Sequence, residues 1–151
     1  MVKQTQKKVP LSEKMKNFEE ACKKANLKIT HQRMEIFREL AESNEHPSAE
    51  TIYKGLQKKL PTISLDTIYR TLATLEKQRL IIRVHTLESQ ARFEIESGKH
   101  HHLICSSCGK ITDFLWETFD SSDLPADVQK WGAINNRNAT LHGICSACAE
   151  K

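Results

Sequence analysis

Ser64-Leu65-Asp66-Thr67-Ile68-Tyr69-Arg70-Thr71-Leu72-Ala73-Thr74-Leu75, followed by Leu80-Ile81-Ile82-Arg83-Val84, decides how this chain folds. Ser64 is a good helix N-cap, and the spacing behind it predicts a helix from Leu65 to about Gln78. At 100° per residue Ile68, Leu72 and Leu75 form one buried stripe. Arg70 projects almost directly opposite, with Asp66 and Thr74 near it, Thr67 further round and Tyr69 on the flank. The β-branched run 80–84 reads as a strand, and Arg92-Phe93-Glu94-Ile95-Glu96 alternates as its half-exposed partner would.

Working back from that helix, three more are expected. Phe18, Cys22 and Ala25, with Ser12 as cap, predict a helix near 13–26. Thr30 caps a second, whose stripe carries Met34, Phe37, Leu40 and Ala41. His46-Pro47 interrupts the chain, Ser48-Ala49-Glu50-Thr51 opens a third with Ile52 and Leu56, and Leu60-Pro61 closes it. Helices followed by a two-stranded ribbon give the order of a winged helix, a variant of helix-turn-helix. Cys22, among helix-forming residues, reads as a small buried hydrophobe.

Charge follows the same division. Residues 1–90 hold 17 Lys and Arg against 11 Asp and Glu, net +6; residues 91–151 hold 6 against 8, net −2, in a chain of net +4. A basic front part suits a polyanion, and an outward row of Arg70, Thr67 and Tyr69 suits the major groove of DNA. Lys28 and Arg33, flanking the second helix start, are further phosphate or minor-groove candidates. The same charges also suit a solvated Lys-rich surface.

The C-terminal part is rich in metal-binding chemistry. Cys105-Ser106-Ser107-Cys108 and Cys145-Ser146-Ala147-Cys148 place two thiols on each of two tight turns, the spacing of a structural Cys₄ zinc site. A redox pair is the alternative. Four such thiols and an odd Cys22 fit a reducing, cytoplasmic setting better than a disulfide scaffold. His100-His101-His102-Leu103-Ile104 reads as a strand, so His100 and His102 share a face and His101 takes the other. With Asp113 beyond the zinc turn they resemble half of a first-row metal site, which Glu94 and His46 can complete. Mixed nitrogen and oxygen ligation suits Fe²⁺, Mn²⁺ or Zn²⁺. Otherwise the histidines are polar residues at a strand end and His46 is a turn residue. No stretch approaches the roughly 20 apolar residues that span a bilayer. The basic start, Met1 to Lys8, has no apolar signal-peptide region.

The run His100 to Phe114, reading His-x-His-Leu-Ile-Cys-x-x-Cys-Gly-Lys-Ile-x-Asp-Phe, resembles the signature of the ferric uptake regulator family. Ile63 to Leu72 is similar to that family's recognition helix, and His46-Pro47-Ser48-Ala49-Glu50-Thr51-Ile52-Tyr53 to the opening of its third helix. The likeness runs from about residue 14 to Cys148. It implies an α+β protein: a winged-helix DNA-binding domain over 1–96, with 1–12 a flexible basic tail, and an α/β dimerisation and metal domain over 97–151. It implies a homodimeric, metal-activated repressor of palindromic double-stranded DNA, and neither an enzyme nor a membrane protein. On this resemblance Cys105, Cys108, Cys145 and Cys148 hold structural zinc. His46, Glu94, His100, His102 and Asp113 hold regulatory Fe²⁺ or Mn²⁺. Tyr69 contacts bases and Lys28 the minor groove, while His142 matches no ligand. An additional metal site of some relatives is incomplete, with Lys99, His101 and Arg137 in its places.

Two CxxC pairs and Asp113 are similar to the family's peroxide-responsive branch, in which iron-catalysed oxidation of a ligand histidine, here His46 or His100, releases metal and DNA. Glu94 departs from that branch, which typically has Asp, and matches the reversible iron-sensing branch. Two other classes, a zinc hydrolase and a zinc-stapled interaction module, are set against this; no HExxH motif supports the first.

Overall fold

The computed structural model describes residues 9–43, 45–87, 89–95 and 98–151. Most of the basic tail, and the expected domain boundary at Glu96 and Ser97, lie outside the described residues. The chain divides into a compact unit within 7–96 and another within 97–151.

The first unit is helical, with a small ribbon. Helix α1 (Leu11–Lys24) starts behind Pro10 without a side-chain cap, two residues earlier than expected, so Ser12 lies inside it. Proline suits a helix start because its missing N–H would have no partner there. Asn26, at φ 53°, ends the turn that follows α1. Helices α2 (His31–Glu42), α3 (Ala49–Leu56) and α4 (Leu65–Lys77) are each capped as the sequence indicated. Thr30, Ser48 and Ser64 accept from the amides of Arg33, Thr51 and Thr67. Helix α3 ends at Leu56, ahead of the expected stop. Leu60 and Ile63 amides then bond to the Leu56 and Leu60 carbonyls, and this tight turn brings Ile63 into the core.

One apolar cluster, from Met15 to Phe93, joins all four helices to the ribbon. Phe18 and Phe37 stack with centroids 3.9 Å apart, and Ile68, Leu72 and Leu75 of α4 are fully enclosed, as is Cys22. Each such Leu or Ile stabilises the fold by about 1.5–3 kcal/mol relative to exposure. Strand β1 (Ile81–Val84) pairs antiparallel with β2 (Arg92–Ile95), Ile82 opposite Glu94. Together α2, α3, α4 and this ribbon make the winged helix-turn-helix. Arg83 ties the ribbon to α4 through Glu76 at 3.1 Å. The alternation read along β2 fails at one place, since Glu94 is buried beside Phe93.

The second unit is a three-stranded sheet in the order β4-β3-β5. Strand β3 (His101–Cys105) runs antiparallel to β4 (Ile111–Phe114) and parallel to β5 (Thr140–Gly143). Parallel neighbours require a long crossover, supplied by α5 (Glu117–Ser121) and α6 (Ala126–Trp131). A last turn, α7 (Ser146–Ala149), carries Cys148. Of these elements, α5, α6, β5 and α7 were not foreseen. Among the described residues, no helix is long and apolar enough to cross a membrane.

Candidate metal centre and nucleic-acid interface

The zinc turns are built by backbone geometry. After β3, the amide of Gly109 bonds back to the Cys105 carbonyl at 2.9 Å. Gly109 itself sits at φ 74°, a conformation that glycine adopts without strain. The second pair follows β5, whose parallel pairing sets Cys105 opposite Gly143. The ligand atoms of Cys105, Cys108, Cys145 and Cys148 all lie within 4.8 Å of one another. The Cys145 amide donates to Cys105 Sγ at 3.3 Å, and Cys108 Sγ is 3.9 Å from Cys145 Sγ.

Crowded thiols cannot all ionise unaided. Amide donation from Cys145 and Cys108 pulls the Cys105 thiol down to about 6. At Cys148 the Ser107 hydroxyl favours the thiolate, but thiol contacts with Cys145 and Cys108 outweigh it and push the group up to about 12. A divalent ion among the four sulfurs removes that conflict, because it stabilises every thiolate at once. Four thiolates with no oxygen donor form a closed tetrahedral set suited to structural zinc, with no position left to activate water.

The other predicted ligands form pairs within each unit. In the first, His46 Nε2 lies 2.8 Å from Glu94 Oε2. The loop carrying His46 is stitched to β2: Phe93 N–H donates to the Pro47 carbonyl at 3.0 Å, and Arg92 Nε donates to the His46 carbonyl. The buried position of Glu94 follows from this partnership, since an enclosed carboxylate needs a polar neighbour.

In the second, His102 and Asp113 are directly opposed across β3 and β4, with Nε2 to Oδ1 3.4 Å. The His100 and His102 rings meet edge-on with centroids 4.9 Å apart, as the two-residue period requires. His100 Nδ1 is 2.9 Å from the Gly98 carbonyl. A carbonyl only accepts, so Nδ1 carries the proton in this contact, and in the neutral ring that makes Nε2 the metal-binding nitrogen. Gly98 reaches this position at φ 91°.

His101 faces the other way. It is 1% exposed, ringed by Phe114, Trp116 and Phe119, and its Nδ1 accepts the Ala139 amide at 3.0 Å. Its Nε2 is 3.2 Å from Asp120 Oδ1, within electrostatic reach although the angle falls outside hydrogen-bond geometry. Arg137 donates to the Phe119 and Ser122 carbonyls at 3.0 and 2.7 Å. Both residues therefore serve to hold α5 against the sheet. His142, exposed on β5, stands opposite Ile104.

The nucleic-acid candidates gather on α4 and the loop before α2. Arg70 and Tyr69 are 80% and 44% exposed. Arg70 Nε is held by Asp66 at 3.0 Å, which leaves the rest of the guanidinium outward. Thr67 Oγ1 is 2.8 Å from Ser64 Oγ, and Tyr69 Oη donates to Glu50 Oε1 of α3. Arg33 Nη1 donates to the Lys28 carbonyl at 2.5 Å, so it braces the loop that presents Lys28. Sequence reasoning missed Glu50 and Asp120. Both act through residues far away in the chain, and only the acidic side chain itself was visible.

Residues 24–130 match the Ferric uptake regulator family. The chain belongs to that family. It is accordingly a metal-dependent transcriptional regulator and not an enzyme. It is 33% identical over 131 residues to the peroxide-responsive repressor PerR of Staphylococcus epidermidis, covering 87% of each chain. It is 31% identical over 137 residues to the peroxide operon regulator of Bacillus subtilis, covering 91% of this chain and 94% of that one. The structure of the Helicobacter pylori ferric uptake regulator, described with three functional metal-binding sites, superposes with a TM-score of 0.77 at 28% identity. That match covers 97% of this chain and 99% of the other.

Proposed function

We propose that this regulator is a cytoplasmic homodimer that represses transcription at palindromic DNA and senses peroxide by losing a ligand histidine. The observation that carries the signal is the run of peroxide-responsive relatives at 31–33% identity across almost the whole chain. In this reading the unit within 7–96 binds DNA through Lys28, Arg33, Thr67, Tyr69 and Arg70. The unit within 97–151 dimerises and holds structural zinc on Cys105, Cys108, Cys145 and Cys148.

The regulatory ligands are His46, Glu94, His100, His102 and Asp113, and the ion is Fe²⁺ or Mn²⁺. Three imidazoles and two carboxylates suit either of these ions. Support comes from the histidine–carboxylate pairs His46–Glu94 and His102–Asp113 and from the contact of His100 Nδ1 with the Gly98 carbonyl. An ion that binds one conformation of the repressor better than the others raises the population of that conformation, and paired half-sites of DNA select among conformations in the same way. Fe²⁺, if held by these residues, would catalyse cleavage of the peroxide O–O bond and be regenerated, so that the imidazole supplies both electrons. Overall, hydrogen peroxide leaves one oxygen on the imidazole carbon between the two nitrogens, and the second departs as water. The oxidised ring is a poorer ligand, so His46 or His100 lets go of the metal and the repressor lets go of DNA.

Peptide mass spectrometry of the Fe²⁺-loaded protein after brief peroxide exposure tests this, with the Mn²⁺-loaded form as control. One added oxygen on the His46 or His100 peptide, with iron only, is the expected result. Unmodified histidines in a protein that still binds DNA with metal favour reversible iron sensing. That second reading has its own support in Glu94 and in the Helicobacter pylori likeness.

A further inference from the structure

We propose that Glu50 is a positioning residue that makes Tyr69 selective for thymine. The inference rests on α4 being the DNA-reading helix, and it begins with one hydrogen bond. Tyr69, in the first half of α4, donates its phenol proton to Glu50 Oε1 in the first turn of α3. A phenol has a single proton and an ionised carboxylate can only accept, so the direction of this bond is fixed. Each group shifts as the contact requires. The Glu50 carboxylate pushes the Tyr69 phenol above its ordinary value, and the phenol hydrogen bond holds the Glu50 carboxyl below its own.

With its proton engaged, Tyr69 has nothing to donate to a base. In the major groove that rules out hydrogen bonds to guanine N7 and O6, adenine N7 and thymine O4. What remains is the exposed ring, an apolar edge suited to the thymine methyl, and an oxygen lone pair able to accept from an adenine amino group beside it. An A·T pair offers both. The neighbours are restrained in the same manner, Arg70 by Asp66 and Thr67 by Ser64. The face is thus fixed before DNA arrives, which limits the side-chain entropy lost on binding. A free phenol, by contrast, turns about its bonds and donates to any acceptor it meets.

The experiment is sequence selection from a random duplex pool by Mn²⁺-loaded wild type and by Glu50→Ala, Glu50→Gln, Tyr69→Phe and Tyr69→Ala. Wild type and Glu50→Gln, whose amide oxygen still accepts the phenol proton, are expected to select thymine at one position of each half-site. Glu50→Ala loses that preference while still binding the pool; Tyr69→Phe, which keeps the apolar ring edge and has no proton to donate, retains part of it, and adding Glu50→Ala to Tyr69→Phe changes nothing more. Replacing that thymine by deoxyuridine weakens wild type about fourfold, the worth of one buried methyl group, and leaves Glu50→Ala unaffected. In a Tyr53→Phe background, absorbance titration of the remaining tyrosine reads the contact directly, and Glu50→Ala should lower its midpoint. An unchanged selected sequence in Glu50→Ala overturns the proposal, as does an unmoved titration. If even Tyr69→Ala selects and binds as wild type does, the reading of α4 falls, and the titration still reports whether the Glu50 contact exists.

Discussion

The two units are held together by different physics. Between Met15 and Phe93 a continuous apolar cluster links four helices and a ribbon. Beyond residue 97 the enclosed apolar side chains are Ile104, Cys105 and Ile111, while Trp131, Ile144, Leu141 and Leu115 stand exposed. Helices α5 and α6 bury no side chain, and every residue of β5 is exposed. A unit this small with so thin a core lacks the burial that offsets chain entropy, and small domains of that kind rely on metals or on assembly. Four thiols within 4.8 Å supply the metal route, and the exposed apolar residues are available for assembly.

Cysteine replacement breaks the comparison most severely. Cys108→Ser leaves three thiols, and structural zinc in comparable sites is worth about 10–16 kcal/mol. The variant is expected to lose its zinc and the β4-β3-β5 sheet while α1 to β2 stay folded. Zinc stoichiometry and amide NMR of the full chain check this. A sheet that survives without zinc would show that burial alone suffices there.

The mirror-image test is Leu72→Ala. Leu72 is enclosed in the α4 stripe, and truncation of such a residue destabilises by about 2–5 kcal/mol. Urea unfolding of the zinc-loaded protein should show the loss in the helical unit, with zinc retained. Loss of zinc in Leu72→Ala would mean that the second unit depends on the first for its stability.

The same contrast explains what could be read from the sequence. Helix α4 was legible because a stripe of Ile68, Leu72 and Leu75 behind a serine cap has one physical interpretation. The thiols and the histidine run were legible because metal spacing is local. Helices α5 to α7 and β5 were not, since elements with no fully buried residue carry little periodicity. Ser12 misled because a cap residue and a preceding proline are both valid helix starts, and the chain uses Pro10. Glu94 looked solvent-facing by alternation, and its pairing with His46, 48 residues away, helps to explain its burial. The Glu50 contact with Tyr69 spans 19 residues and two helices, beyond any local pattern.

The mildest perturbation separates stability from recognition inside the first unit. Ser64 Oγ accepts the Thr67 amide at 3.1 Å and meets the Thr67 hydroxyl at 2.8 Å. Ser64→Ala removes both, and loss of a cap of this kind costs about 1 kcal/mol. Helix α1 has no side-chain cap to lose, so Ser12→Ala serves as the control and should be nearly silent. The cap also orients Thr67 on the side of α4 proposed to meet DNA, so on that proposal its loss should weaken specific DNA binding beyond what the small drop in stability explains. Thermal unfolding and DNA titration of the same preparations check both effects. Equal melting points for the two variants would mean that the Ser64 hydroxyl contributes nothing to α4, and that the turn from Leu60 to Ile63 alone sets where the helix begins.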